Sequence, residues 1–98
     1  MRMSDKKESN RFATRAVHSG TQHIGDAVNT PIFQSSTYKL TDERYAGWAA
    51  GAQHTLLYAR LSTVNSDAVA QKLAAMEQGE DAETFSSGMG AISTTLLA

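Results

Sequence analysis

Residues 14–60 carry almost no helical or strand periodicity. Ser, Thr, Asn and Gly are scattered through this run together with the single proline of the chain, Pro31. Irregular stretches inside compact domains rarely pass about 15 residues. A run of more than forty must therefore stay disordered or lie on something larger, such as a partner subunit. Within it, residues 32–38 read as a short extended segment with weak alternation. Residues 1–13 are polar and charged without any period, and read as a mobile terminus.

The 98 residues leave little margin for independent folding. A compact chain of 10.5 kDa gains on the order of 150 kcal/mol from apolar burial. Ordering its residues costs on the order of 150 kcal/mol as well. With no cysteine, neither a disulfide nor a thiolate zinc site can help. No apolar run is long enough for a membrane span, and the N-terminus has no apolar h-region of a secretory signal. The expectation is a soluble, cytoplasmic chain with no membrane association. A net charge of −1 argues against general nucleic-acid binding.

The C-terminal part is more regular. Val69, Leu73 and Met76 form one apolar stripe at helical spacing, supported by Ala68, Ala70, Ala74 and Ala75. The spacing predicts a helix over 66–78, capped by Asn65 or Ser66 and stopped at Gly79, with the stripe in a core. Residues 82–86 read as a short strand, and a mostly apolar helix begins at Gly88. That helix reaches Leu97-Ala98 without a cap, a basic turn or a glycine, so the chain reads as cut within an element.

Two clusters could carry chemistry. Ser86-Ser87-Gly88-Met89-Gly90 lies between the predicted strand and helix. Small residues there leave amides free at the positive end of a helix dipole, which suits an anion or phosphate. The run is neither a Walker loop nor a dinucleotide fingerprint, whose third glycine position is Ser93 here. A tight turn using glycine for steric reasons is the other reading. Tyr58-Ala59-Arg60 would project a phenol and a guanidinium from one face of an extended backbone. Together they could grip a phosphate, or be an ordinary surface Arg beside a half-buried Tyr. His18, His23 and His54 lack ligand-like spacing and a recurring carboxylate partner, so no metal site is expected. Trp48, between Gly47 and Gly51, reads as a packing anchor.

Several pieces occur in a specific order: Thr14-Arg15-Ala16-Val17-His18-Ser19-Gly20, Thr30-Pro31 followed by Ile32-Phe33-Gln34-Ser35-Ser36-Thr37-Tyr38, Tyr58-Ala59-Arg60, the helix after 66, and Phe85-Ser86-Ser87-Gly88-Met89. Over residues 14–98 this resembles the N-terminal quarter of the Cys/Met-metabolism (trans-sulfuration) family of pyridoxal-phosphate enzymes. That family includes cystathionine γ-synthase, cystathionine γ-lyase and methionine γ-lyase. The resemblance implies an α/β, aspartate-aminotransferase-like type I fold. Residues 1–60 would be an arm contacting the neighbouring subunit. Residues 61–98 would begin the cofactor domain as helix, strand and helix.

The resemblance also implies that Tyr58 and Arg60 reach the cofactor phosphate of the partner chain, while Ser87, Gly88 and Met89 cradle the phosphate of their own. The implied cofactor is pyridoxal 5'-phosphate and the implied partners are identical subunits, as dimer or tetramer. The implied reaction is β/γ-elimination or γ-replacement on a cysteine-, homocysteine- or homoserine-type amino acid, by a lyase or transferase. The sequence departs from the family where Asn-Pro-Thr often follows the arginine, since Leu61-Ser62-Thr63-Val64-Asn65-Ser66 stands here. The family's Schiff-base lysine lies further along than this sequence reaches, so no catalytic residue is expected within it. The other reading is an inert fragment that acts only in subunit association.

Overall fold

A computed structural model describes residues 11–52 and 54–98. Most of the expected mobile terminus, residues 1–10, lies outside the described residues. Four helices follow one another: α1, Phe12–His18; α2, Asp42–Ala49; α3, Val64–Glu77; and α4, Gly88–Leu97.

Helix α3 is the predicted one, and it starts earlier than the spacing suggested. Thr63 is the cap: its hydroxyl accepts from the Ser66 amide at 3.0 Å, and Ser66 Oγ accepts from the Thr63 amide at 2.9 Å. This reciprocal pair satisfies two donors that a helix end otherwise leaves open. Of the two expected caps, Ser66 stands inside the first turn and Asn65 is employed elsewhere. Its Oδ1 accepts from the Phe33 amide and its Nδ2 donates to the Pro31 carbonyl, each at 2.9 Å. At the other end the left-handed residue is Gln78, with φ 57°, and not Gly79. The Gly79 amide instead closes a bond of 2.9 Å back to the Ala74 carbonyl, as in a Schellman ending.

The run expected to be irregular holds two helices, a correction to the sequence reading. Helix α2 has signals that were legible: Thr41 accepts from the Arg44 amide, and Asp42 and Glu43 occupy the first turn. Helix α1 has no side-chain cap at its start and forms against α3. At its end, Lys72 Nζ on α3 donates to the Val17 carbonyl at 3.2 Å, placing a cation on an orphan carbonyl. Gly20 then turns the chain at φ +72°. Its backbone lies so close to α3 that a Cβ would clash with the Ala68 carbonyl and sit 2.8 Å from the Lys72 nitrogen.

The stripe on α3 is not the buried core that was expected. Val69 and Leu73 are exposed, and Ala70 is the buried residue of the helix. Together with Met76 and Val17 the stripe lines an open groove of about 370 Å³. Trp48 is also half out of contact, at 48% exposure, with the Tyr45 ring 6.1 Å away. Among the described residues only Ala70 and Ser62 are buried. No strand forms at 82–86, because a strand needs a ladder partner and none is present among the described residues. The segment 32–38 contributes a single antiparallel bridge, Thr37 to Tyr58. Helix α4 begins at Gly88 as expected, with Met89, Ile92, Leu96 and Leu97 exposed along it. No helix among the described residues is long and apolar enough to cross a membrane.

Two substitutions check this arrangement. Gly20→Ala combines left-handed strain with a backbone clash, and lowers stability by about 2 kcal/mol or more in denaturant titration. Asn65→Ala releases the 31–33 segment at a cost of about 1–3 kcal/mol, read as lost hydrogen-exchange protection of the Phe33 amide.

Candidate functional site

Tyr58 is positioned by its bridge to Thr37. The Tyr38 amide donates to the Leu57 carbonyl at 3.1 Å, and the Ala59 amide to the Ser36 carbonyl at 2.7 Å. The chain turns at once, since the Leu61 and Ser62 amides both donate to the Tyr58 carbonyl, at 2.8 and 3.1 Å. The extended backbone expected for Tyr58 and Arg60 is therefore replaced by a turn. The two side chains still share one side: the Arg60 guanidinium carbon lies 5.5 Å from the centre of the Tyr58 ring. That distance is within cation–π range. Both residues are exposed, and no carboxylate pairs with Arg60 among the described residues. Its fork of five donors is available to a planar or tetrahedral anion.

Ser87 caps α4. Its hydroxyl accepts from the Gly90 amide at 3.0 Å and its carbonyl from the Ala91 amide at 3.1 Å. The Gly88 and Met89 amides are left without an acceptor among the described residues. They point outward at the positive end of a helix of 10 residues. A Cβ on Gly88 would meet nothing within 4 Å, whereas one on Gly90 would come 3.1 Å from Ser87 Oγ. Steric need explains glycine at 90 but not at 88, where the missing side chain leaves the approach to the amides open.

No hydrogen bond or ion pair joins Tyr58 and Arg60 to residues 87–89 among the described residues. A separate cluster, which sequence reasoning missed, forms around His54. His54 Nδ1 faces Asp67 Oδ1 at 3.0 Å, and His54 Nε2 faces Asp81 Oδ2 at 3.3 Å. The expectation that no carboxylate attends the histidines is thus corrected for His54. The partners stand 13 and 27 residues away, a separation that no local spacing rule reveals. Ser62 Oγ donates to Asp67 Oδ1 at 2.6 Å. It faces the carboxylate and not the imidazole, so nothing here activates it as a nucleophile. The His54 pKa is raised above 6.5, first by the bond to Asp67 and then by that to Asp81, with partial burial opposing. Asp81 is held below the ordinary carboxyl value, first by the Ala82 amide it accepts and then by His54.

Comparison with known proteins gives this geometry its context. Residues 13–98 match the model of a family described as Cys/Met metabolism PLP-dependent enzyme. An L-methionine gamma-lyase of Porphyromonas gingivalis is 41% identical over 87 residues, covering 87% of this chain and 22% of that protein. A probable cystathionine gamma-synthase of Herpetosiphon aurantiacus is 38% identical over 88 residues, covering 88% and 25%. A canavanine gamma-lyase of Rhizobium leguminosarum bv. trifolii is 37% identical over 84 residues, covering 83% and 20%. The chain therefore spans about a quarter or less of the length of these relatives. With the family model matched over most of its residues, the chain belongs to the Cys/Met metabolism family of PLP-dependent enzymes.

Proposed function

We propose that this chain supplies the phosphate-anchoring elements of a PLP-dependent enzyme acting on a sulfur amino acid. Membership in the family implies pyridoxal phosphate as cofactor and an aspartate-aminotransferase-like fold. In this reading residues 1–60 form the arm toward an identical subunit and residues 61–98 begin the cofactor domain. The observation that carries it is the free amide pair at Gly88 and Met89, opened by the absent side chain at 88. The exposed guanidinium of Arg60 beside the Tyr58 phenol, without a carboxylate partner among the described residues, supports it independently.

The residues fit the group. Ser87, Gly88 and Met89 would hold the phosphate of their own subunit's cofactor through main-chain donors and a helix dipole. Tyr58 and Arg60 would hold the phosphate of the neighbouring subunit's cofactor by a hydroxyl and a bidentate contact. The cofactor, when bound, supplies an electron sink for elimination or replacement at the amino-acid substrate. This chain's part is to bind and orient it. Elimination at the γ-carbon of a methionine- or homocysteine-like substrate is favoured, because methionine gamma-lyases recur among the relatives. Replacement remains the second member of the reading, through the cystathionine gamma-synthase relative. Homotetrameric assembly and a cytoplasmic location belong to the same proposal. An association-only fragment would account for the exposed side chains of α4, but not for the open amides or Arg60.

Arg60→Ala weakens PLP binding by about 30-fold or more, and Arg60→Lys recovers only part, since a charge-assisted bidentate contact is lost. Equilibrium titration with PLP checks this, and unchanged affinity overturns the reading. Gly88→Ala separates the cradle from a merely steric turn. The methyl group has open space, so thermal stability holds, while PLP affinity falls because the approach to the amides is obstructed.

A further inference from the structure

We infer that His54 is a positioning residue which fastens the two phosphate-binding elements of the chain to one another by bridging Asp67 and Asp81. The inference rests on the reading of those elements given above. His54 stands four residues before Tyr58, in the left-handed region at φ 57°. One ring nitrogen reaches Asp67 in the first turn of α3, at 3.0 Å. The same carboxylate oxygen receives the hydroxyl of Ser62, the residue that ends the Tyr58–Arg60 turn and is 4% exposed. The other ring nitrogen reaches Asp81, at 3.3 Å. Asp81 begins the segment that runs to Ser87, and its second oxygen accepts the Ala82 amide at 2.8 Å. That segment has no ladder partner among the described residues, so its foot at Asp81 is a main point of attachment.

The bridge has a chemical requirement. Both facing atoms are carboxylate oxygens, which only accept. Each ring nitrogen must therefore carry a hydrogen, and only the imidazolium has two. A neutral ring can hold Asp67 or Asp81, but not both. The groups facing His54 make this charge state favourable. Asp67 comes from α3, and Asp81 and Glu83 come from the segment beyond it. The residues that α2 and its following turn bring to the same cavity, Trp48, Gly51 and Ala52, carry no ionisable group, and neither Lys nor Arg lines it. The raised pKa of His54 agrees with this geometry. A raised value means that the complete bridge is present below pH 6.5 and is lost as pH rises through the folded-state value.

The test uses the holoenzyme and two readouts across pH 5.5 to 9: hydrogen exchange of the 55–62 and 82–90 segments, corrected for intrinsic rates, and PLP retained after desalting, quantified by alkaline release. In the native protein both segments are protected at the acid end. Both exchange about tenfold faster at the alkaline end, as expected for loss of a charge-assisted bond, and PLP retention declines over the same interval. His54→Gln abolishes the step in both segments and leaves them fast throughout. Asp81→Asn removes a charge at an exposed position, so it folds, and its amide can donate as well as accept, so a neutral ring also completes the bridge and the step disappears from the range. A step that persists in Asp81→Asn, or a response of only one segment to His54→Gln, overturns the inference. Arg60→Ala separates the two readings. If it strips PLP at every pH while the native exchange step is absent, the phosphate-site reading stands and the bridge falls. If it leaves PLP retention intact, both fall.

Discussion

The side-chain bonds that hold residues 17–33 and 54–62 in place converge on the polar edge of one helix. Val64–Glu77 offers an asparagine, an aspartate and a lysine, and each holds a different segment. Asn65 takes the strand-like run after Pro31, Asp67 takes Ser62 and His54, and Lys72 takes the end of the first helix. Gln71 adds a bond of 3.0 Å to Gln22. Little apolar surface is enclosed in the process, since Ala70 is the one hydrophobic residue buried among those described. Order here comes from specific donors and acceptors, each worth on the order of 1 kcal/mol net, more than from a closed core.

The site follows from that arrangement. The Tyr58 turn is placed by a single bridge on one side and by Ser62 on the other. Residues 87–89 are placed by the helix that Ser87 caps. Neither element is buried, so both can present donors to a ligand that arrives from outside. Their exposure suits a site completed by another chain, and the exposed guanidinium costs nothing in desolvation until an anion arrives.

Sequence legibility divided along physical lines. The third and fourth helices were readable because alanine content, spacing and capping residues are local signals. The cap, expected at Asn65 or Ser66, stands at Thr63, because Asn65 has a tertiary partner that outweighs its capping preference. The first helix was missed because it depends on contact with α3 and Lys72 rather than on its own seven residues. The second helix was missed although Thr41 followed by Asp42 and Glu43 announced it. Tyr58, Arg60, Ser87, Gly88 and Met89 were singled out through residue type and order, and their role stays with the proposal. His54 was passed over because its partners lie on elements far off in sequence.

The backbone at His54 narrows which amino acids can stand there. A φ of 57° favours Gly, Asn, Asp and His over the rest. Bridging two carboxylates on opposite sides demands two divergent N–H donors on one rigid frame. Asn and Asp suit the first condition and fail the second, while Arg carries the donors but pays for the backbone. The two conditions intersect at histidine alone. A change at this position alone therefore leaves at least one of the two carboxylates without its donor.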